Sequence, residues 1–187
     1  MNELIPTSLT SEAIKDKARS LGADLVGIAD GALMDKFPPD PENPRTPSHI
    51  TEIDGARVIV LAKRYSAGTT RITKWDERHK YYNDEIALTM LEGAALELVF
   101  WLEEHGYPAI IIPPTHVDPW RYHGEPRQHM TTYLSLTHAA VEAGMGTLGL
   151  NMQLITPEYG PRILLGAVMS SLDCEPDIRM TEALCKG

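Results

Sequence analysis

Ala143-Gly144-Met145-Gly146-Thr147-Leu148-Gly149-Leu150-Asn151 is the stretch on which the reading of this chain turns. Three glycines alternate with apolar residues directly after a helical pattern that runs from about Ser135 to Ala143 and stops at Gly144. Glycine tolerates positive φ and lets backbone approach a neighbour closely. Spacing alone leaves two readings open: a helix C-cap followed by a tight connection, or a backbone surface offered to a ligand. The Gly-x-Gly-x-x-Gly spacing also matches the dinucleotide fingerprint, but that fingerprint follows a strand and opens a helix. Here the order is reversed, which excludes it.

The residues after the glycines are strand-like. Met152 to Thr156 and Arg162 to Met169 flank Pro157-Glu158-Tyr159-Gly160-Pro161, the pattern of a hairpin. Upstream, Thr10 or Ser11 can cap a helix carrying Ile14, Ala18 and Leu21, with Gly22 as its stop. Asp24 to Asp30 and Arg57 to Ala62 are short, apolar and rich in β-branched residues, as buried strands are. The spacing predicts a long core helix within 83–105 whose apolar stripe is Ile86, Met90, Leu91, Ala94, Ala95, Leu98 and Leu102. Gly106 ends it, and Ala109 to Ile112 reads as a third strand. Residues 37–47 hold five prolines and read as an extended surface loop; 66–80 and 113–130 read as loops as well. The expectation is a single-domain α/β (α+β) sandwich over residues 1–187. Strands at about 24–29, 57–62, 109–112, 152–156 and 162–169 share its sheet, with the long helix on one face.

Composition excludes several classes. Charged residues give 17 − 26 = −9, which argues against a broad nucleic-acid face. No run of eighteen apolar residues exists, so no membrane span is expected, and Met1 to Thr10 lacks the pattern of a secretory signal. The cysteines are Cys174 and Cys185, which excludes a disulfide framework and makes a reducing cytoplasm the default. Two thiols are also too few for an iron–sulfur cluster.

Candidate chemistry is sparse. His116, His123, His129 and His138 crowd 23 residues with Asp118 and Glu125, but no pair has helical metal-ligand spacing, and a polar loop accounts for most of them. Arg71, Lys74, Arg78 and Lys80 with Trp75, Tyr81 and Tyr82 form a basic cluster that reads as a solvated loop or a phosphate contact. A hydrolytic triad finds no Gly-x-Ser-x-Gly elbow.

The segment from Ser135 to Asp173 resembles the corrinoid-binding core shared by epoxyqueuosine reductases and reductive dehalogenases. Their hallmark is an Ala-Gly-Leu-Gly-x-x-Gly-Lys-Asn loop, then a Pro-Glu-x-Gly turn and an apolar strand. Leu21 to Gly27 and Arg57 to Ala62 are also similar to that core. The resemblance implies a nitroreductase-like core with helices packed on a mixed sheet, and cobalamin held above the glycine loop by Gly144, Met145, Gly146, Thr147, Leu148, Gly149, Leu150, Asn151 and Arg162. Tyr133 and His138, with Tyr122 third, would be the best available proton donors near that loop and are the expected catalytic residues.

Three positions depart from the family. Leu150 stands where the loop carries lysine. Met130 stands fourteen residues before the first loop glycine, where epoxyqueuosine reductases carry an aspartate. The chain stops at Leu184-Cys185-Lys186-Gly187, which looks like the start of a Cys-x-x-Cys-x-x-Cys run. Cys185 would be a cluster ligand only if that motif continues. The expectation is therefore the N-terminal cobalamin-binding module of a longer corrinoid-dependent, iron–sulfur reductase. Its partner would be a ferredoxin-like electron donor, and these residues alone would hold no iron. A flavin-dependent reductase with FMN and a non-enzymatic corrinoid carrier stay open, as does a homodimer.

Overall fold

The computed structural model describes residues 6–74, 76–112 and 133–186. The candidates Trp75, His116, Asp118, Tyr122, His123, Glu125, His129 and Met130 lie outside the described residues.

Thr10 opens the first helix, α1 (Ser11–Ser20): its hydroxyl accepts from the Ala13 N–H at 3.2 Å, and Lys17 and Arg19 close the last turn, where a cation opposes the dipole. Gly22 turns the chain at φ +113°, and β1 (Leu25–Asp30) follows. The Asp30 carboxylate caps α2 (Gly31–Lys36), a short helix that the sequence pattern does not announce. The proline-rich loop leads to β2 (Arg57–Arg64). A short helical turn, α3 (Glu77–Lys80), runs through a π-type turn into α4 (Ile86–Glu104), where the sequence predicts loop up to residue 80. Then come β3 (Ala109–Ile112), α5 (Leu136–Glu142), the two-residue strands β4 (Thr147–Leu148) and β5 (Leu154–Ile155), and β6 (Ile163–Ser170).

The main sheet has the order β1-β2-β6-β3, and every neighbouring pair is antiparallel. The resemblance implied a mixed sheet, and the structure corrects this. The misreading has a physical source: strands buried on both faces read as unbroken apolar runs, which is the usual mark of parallel strands. Here helices cover both faces of an antiparallel sheet. Val58, Val60 and Ala62 of β2 join Ala167 and Met169 of β6 in one core with α2 and α5. The alternating residues, Ile59 and Leu61 with Val168, join α1 and α4 in the other.

Two further expectations are corrected. The stretch 152–156 is not in the main sheet and does not form a hairpin with β6. Leu154 and Ile155 pair instead with Leu148 and Thr147, and the turn after them closes on itself through a Thr156–Gly160 bridge. The α4 stripe is also rotated. Leu91, Ala94, Ala95, Leu98 and Leu102 are buried as expected, but Ile86 and Met90 are exposed, and Leu88 and Val99 take their place.

Beyond β6 the chain runs extended over residues 171–186 as a strap. Leu172 is buried in the core. The Cys174 carbonyl accepts from Arg57 Nε at 2.6 Å. Asp177 fastens the strap to β1: its N–H donates to the Ile28 carbonyl (2.7 Å), and its carboxylate accepts from the Ile28 N–H (2.8 Å) and from Lys15 Nζ (2.5 Å).

Leu98 is fully enclosed between α4, α1 and the sheet. Leu98→Ala is expected to cost about 2–5 kcal/mol in chemical denaturation. A loss within error of zero would mean that α4 does not pack on the sheet as described.

Candidate functional site

The glycines meet the chain's own backbone. A Cβ on Gly146 would lie 2.1 Å from the Ile155 carbonyl oxygen, and one on Gly144 2.4 Å from the Ile178 carbonyl oxygen. Gly144 also takes φ +67° at the end of α5. The alternating glycines thus let the backbone press against β5 and the strap. At Gly149 the approach is to the Ile155 side chain, 2.9 Å from the Cβ position.

The loop residues divide by role. Met145 is buried in the α5 core. Thr147 uses its hydroxyl to accept from the Leu184 N–H of the strap at 2.9 Å. Asn151 bonds Gln153 through both side-chain atoms, and the Gly149 N–H donates to the Gln153 carbonyl. These contacts fold residues 149–153 into the tip of a hairpin between β4 and β5. Apolar side chains at the tip point outward: Leu150 is 84% exposed and Met152 67%. Met152 holds φ +62°, a conformation that costs energy for a residue with a side chain.

Among the described residues, three clefts ring the end of the sheet where β1 and β6 begin and β2 ends. The first, about 310 Å³, has an apolar floor that includes Leu136, Leu154, Ile163 and Leu165, with Met152 and Tyr65 at its sides. The second, about 680 Å³, carries the cations Lys63, Arg64 and Arg162 and the carboxylates Asp24 and Glu158 beside Tyr65 and Tyr159. Tyr65 lines both. The third, about 300 Å³, lies between α1 and the strap, with Gly144, Met145, Lys15 and Asp177 in its walls. Of the residues that the sequence nominates, Arg162 thus lines the second cleft and Gly144 and Met145 line the third.

In the second cleft the charges are unequally committed. Lys63 donates to the Gly22 carbonyl (2.6 Å) and pairs with Asp24 (3.3 Å). Arg64 approaches Asp24 at 3.7 Å and stacks over Tyr159, 5.5 Å from its centroid. Arg162 has one long contact, 3.5 Å to the Tyr65 carbonyl. Burial, then the negative charges of Asp84 and Glu85, push the Tyr65 hydroxyl up to about 12, so it keeps its proton throughout the physiological range. Sequence reasoning missed Tyr65. It follows the β2 run at once, and nothing in its neighbours marks it out.

Tyr133 and His138 line none of these three clefts. Tyr133 is 69% exposed just before α5. His138 lies on α5 with Nε2 3.5 Å from Glu142, and Arg179 of the strap binds the same carboxylate at 2.9 Å. Its Nδ1 is buried without a hydrogen-bond partner. Cys185 is half-buried, and among the described residues no three His, Cys, Asp or Glu side chains gather as a metal site. No helix of the described residues is long and apolar enough to cross a membrane.

No family profile and no curated sequence matches the chain. Solved structures do match. A reductive dehalogenase, whose structure bears on B12-dependent dehalogenation, superposes over 97% of this chain and 22% of its own, at 19% identity and TM-score 0.58. Epoxyqueuosine reductase from Bacillus subtilis does so over 91% of this chain and 47% of its own, at 19% identity and TM-score 0.61. The fold is that of the epoxyqueuosine reductases and reductive dehalogenases. A further epoxyqueuosine reductase, solved with a modified tRNA stem loop, covers 92% of this chain and 48% of its own at 21% identity and TM-score 0.57. The chain therefore spans less than half the length of each of these relatives in fold.

The His138 environment has a consequence for stability. Burial lowers its imidazole below the ordinary value; Glu142 opposes the shift and Arg179 adds to it. The unfolded chain then takes up a proton that the folded chain resists. Stability is full above the unfolded value of about 6.5 and is lost as pH falls below it toward the folded value. Between about pH 7.5 and about pH 5, wild type is expected to lose more melting temperature than His138→Gln. Equal losses would show that His138 is not held neutral by the fold.

Proposed function

We propose that this chain is the cobalamin-binding module of a corrinoid-dependent reductase, reduced by a separate low-potential donor. The observation that carries the reading is the pair of clefts that share Tyr65. One offers an apolar floor and the other a cationic rim, as a broad ring with amide and phosphate arms requires. The shared fold supports it. The donor set fits as well. A corrinoid carries its metal in its own ring, so it needs contact surface more than protein ligands. The glycine-loop face does not offer an empty cradle of its own, because Gly144 and Gly146 are already filled by backbone.

When bound, a corrinoid supplies a metal centre that changes oxidation state. The chain's own residues do the rest. Leu136, Leu154, Ile163 and Leu165 exclude water from the ring face. Met152 and Leu150, exposed on the hairpin tip, supply further apolar contact. Arg162, the least committed cation of the rim, meets an anionic arm. Tyr65 keeps a protonated oxygen beside the site and is our choice of proton donor. That choice moves the role away from Tyr133 and His138, which line neither cleft. With Leu150 in place of lysine and no aspartate at Met130, the module is assigned to neither relative's own substrate.

Titration of the purified chain with hydroxocobalamin, followed by absorbance and by co-elution on gel filtration, tests this. Saturable binding is expected, with Met152→Glu and Arg162→Gln each weakening it about tenfold. Binding of FMN with no binding of the corrinoid would replace this reading with the flavin-dependent one.

A further inference from the structure

Among the described residues two carry positive φ without being glycine, Arg45 at +46° and Met152 at +62°. Both border the start of α5. Met152 shares the apolar cleft with Leu136 and Thr137, and the Arg45 carbonyl accepts from the N–H of Ser135, the residue just before them, at 2.9 Å. Backbone strain of this kind persists only where the surroundings enforce it, and it collects at ligand sites. Around Arg45 the enforcement is visible: Pro44 and Pro47 flank it, Thr46 is buried with its hydroxyl 3.2 Å from His49 Nδ1, and the carbonyl is tied to Ser135.

The fold places this strain on an arginine whose side chain is not satisfied. Arg45 is half-buried, and its Nε is shielded from solvent with no hydrogen-bond partner. A guanidinium in that state gains a charge-assisted bond from an oxyanion and from little else, because its donor fork matches carboxylate and phosphate oxygens.

We propose that Arg45, beside the start of α5, is an anion-recognition residue that reads a carboxylate or phosphate group on a small-molecule substrate. The proposal goes beyond the corrinoid reading, in which Arg45 takes no part.

The test uses the full chain, with benzoate as the carboxylate probe and inorganic phosphate as the other, read by the arginine Nε–H resonances in ¹H–¹⁵N spectra. One resonance, absent from Arg45→Gly and from Arg45→Gln, is expected to shift saturably with at least one probe. The responding probe names the class. Arg45→Gly should bind at least tenfold more weakly while its melting temperature stays level or rises, because glycine relieves the strain as the charge is lost. Arg45→Gln keeps the strain, removes the charge, and should lose binding as well. An Arg45 resonance that moves with neither probe would overturn the proposal. So would an Arg45→Gly variant that melts lower than wild type and binds equally well.

Discussion

Strand β6 is bonded along both edges, to β2 over its whole length and to β3 over its second half. It comes last in the sheet and yet lies inside it. Until it is placed, β2 and β3 have open edges and neither core is complete, because Ala167 and Met169 fill one face and Val168 the other. Everything between α5 and β6 is therefore a connection with one task, to bring residue 163 back to the end of β2. The backbone contacts at Gly144 and Gly146 make that connection narrow enough to fit. The clefts are what remains open around it, so the proposed site follows from the threading of the last strand.

Much of this was legible in the sequence. The four strands of the sheet, α1 and the buried half of α4 follow from apolar runs, periodicity and caps, which act over a few residues. Strand direction was not legible, because burial on both faces removes the alternation that marks antiparallel pairing. Nor was the role of 152–156. Its apolar residues fit a sheet strand, but only the position of the glycine segment shows that Leu154 and Ile155 pair with Thr147 and Leu148. The Asp177 clamp joins residues 149 positions apart in the chain, where no local pattern reaches.

The glycine segment shows the limit of motif reasoning. The same spacing serves an intimate backbone contact or a ligand-facing loop, and the structure fills the glycine positions with the protein itself. The surface proposed for a ligand belongs to residues without a motif: Tyr65 after β2, Met152 at the hairpin tip and Arg162 after the turn. Chemistry is assigned there by burial and charge. Tyr65 is held protonated by its surroundings, and Arg162 is the least committed of three neighbouring cations.

The central claim is that the two clefts lined by Tyr65, and not the cleft between α1 and the strap, receive the cofactor. Hydrogen–deuterium exchange of the chain with and without hydroxocobalamin tests it directly. The account predicts added protection in peptides covering Tyr65, residues 152–154 and residues 162–165, with α1 and residues 175–178 unchanged. Protection confined to α1, Gly144 and the strap would place the ligand on the far side of the glycine segment and contradict the account.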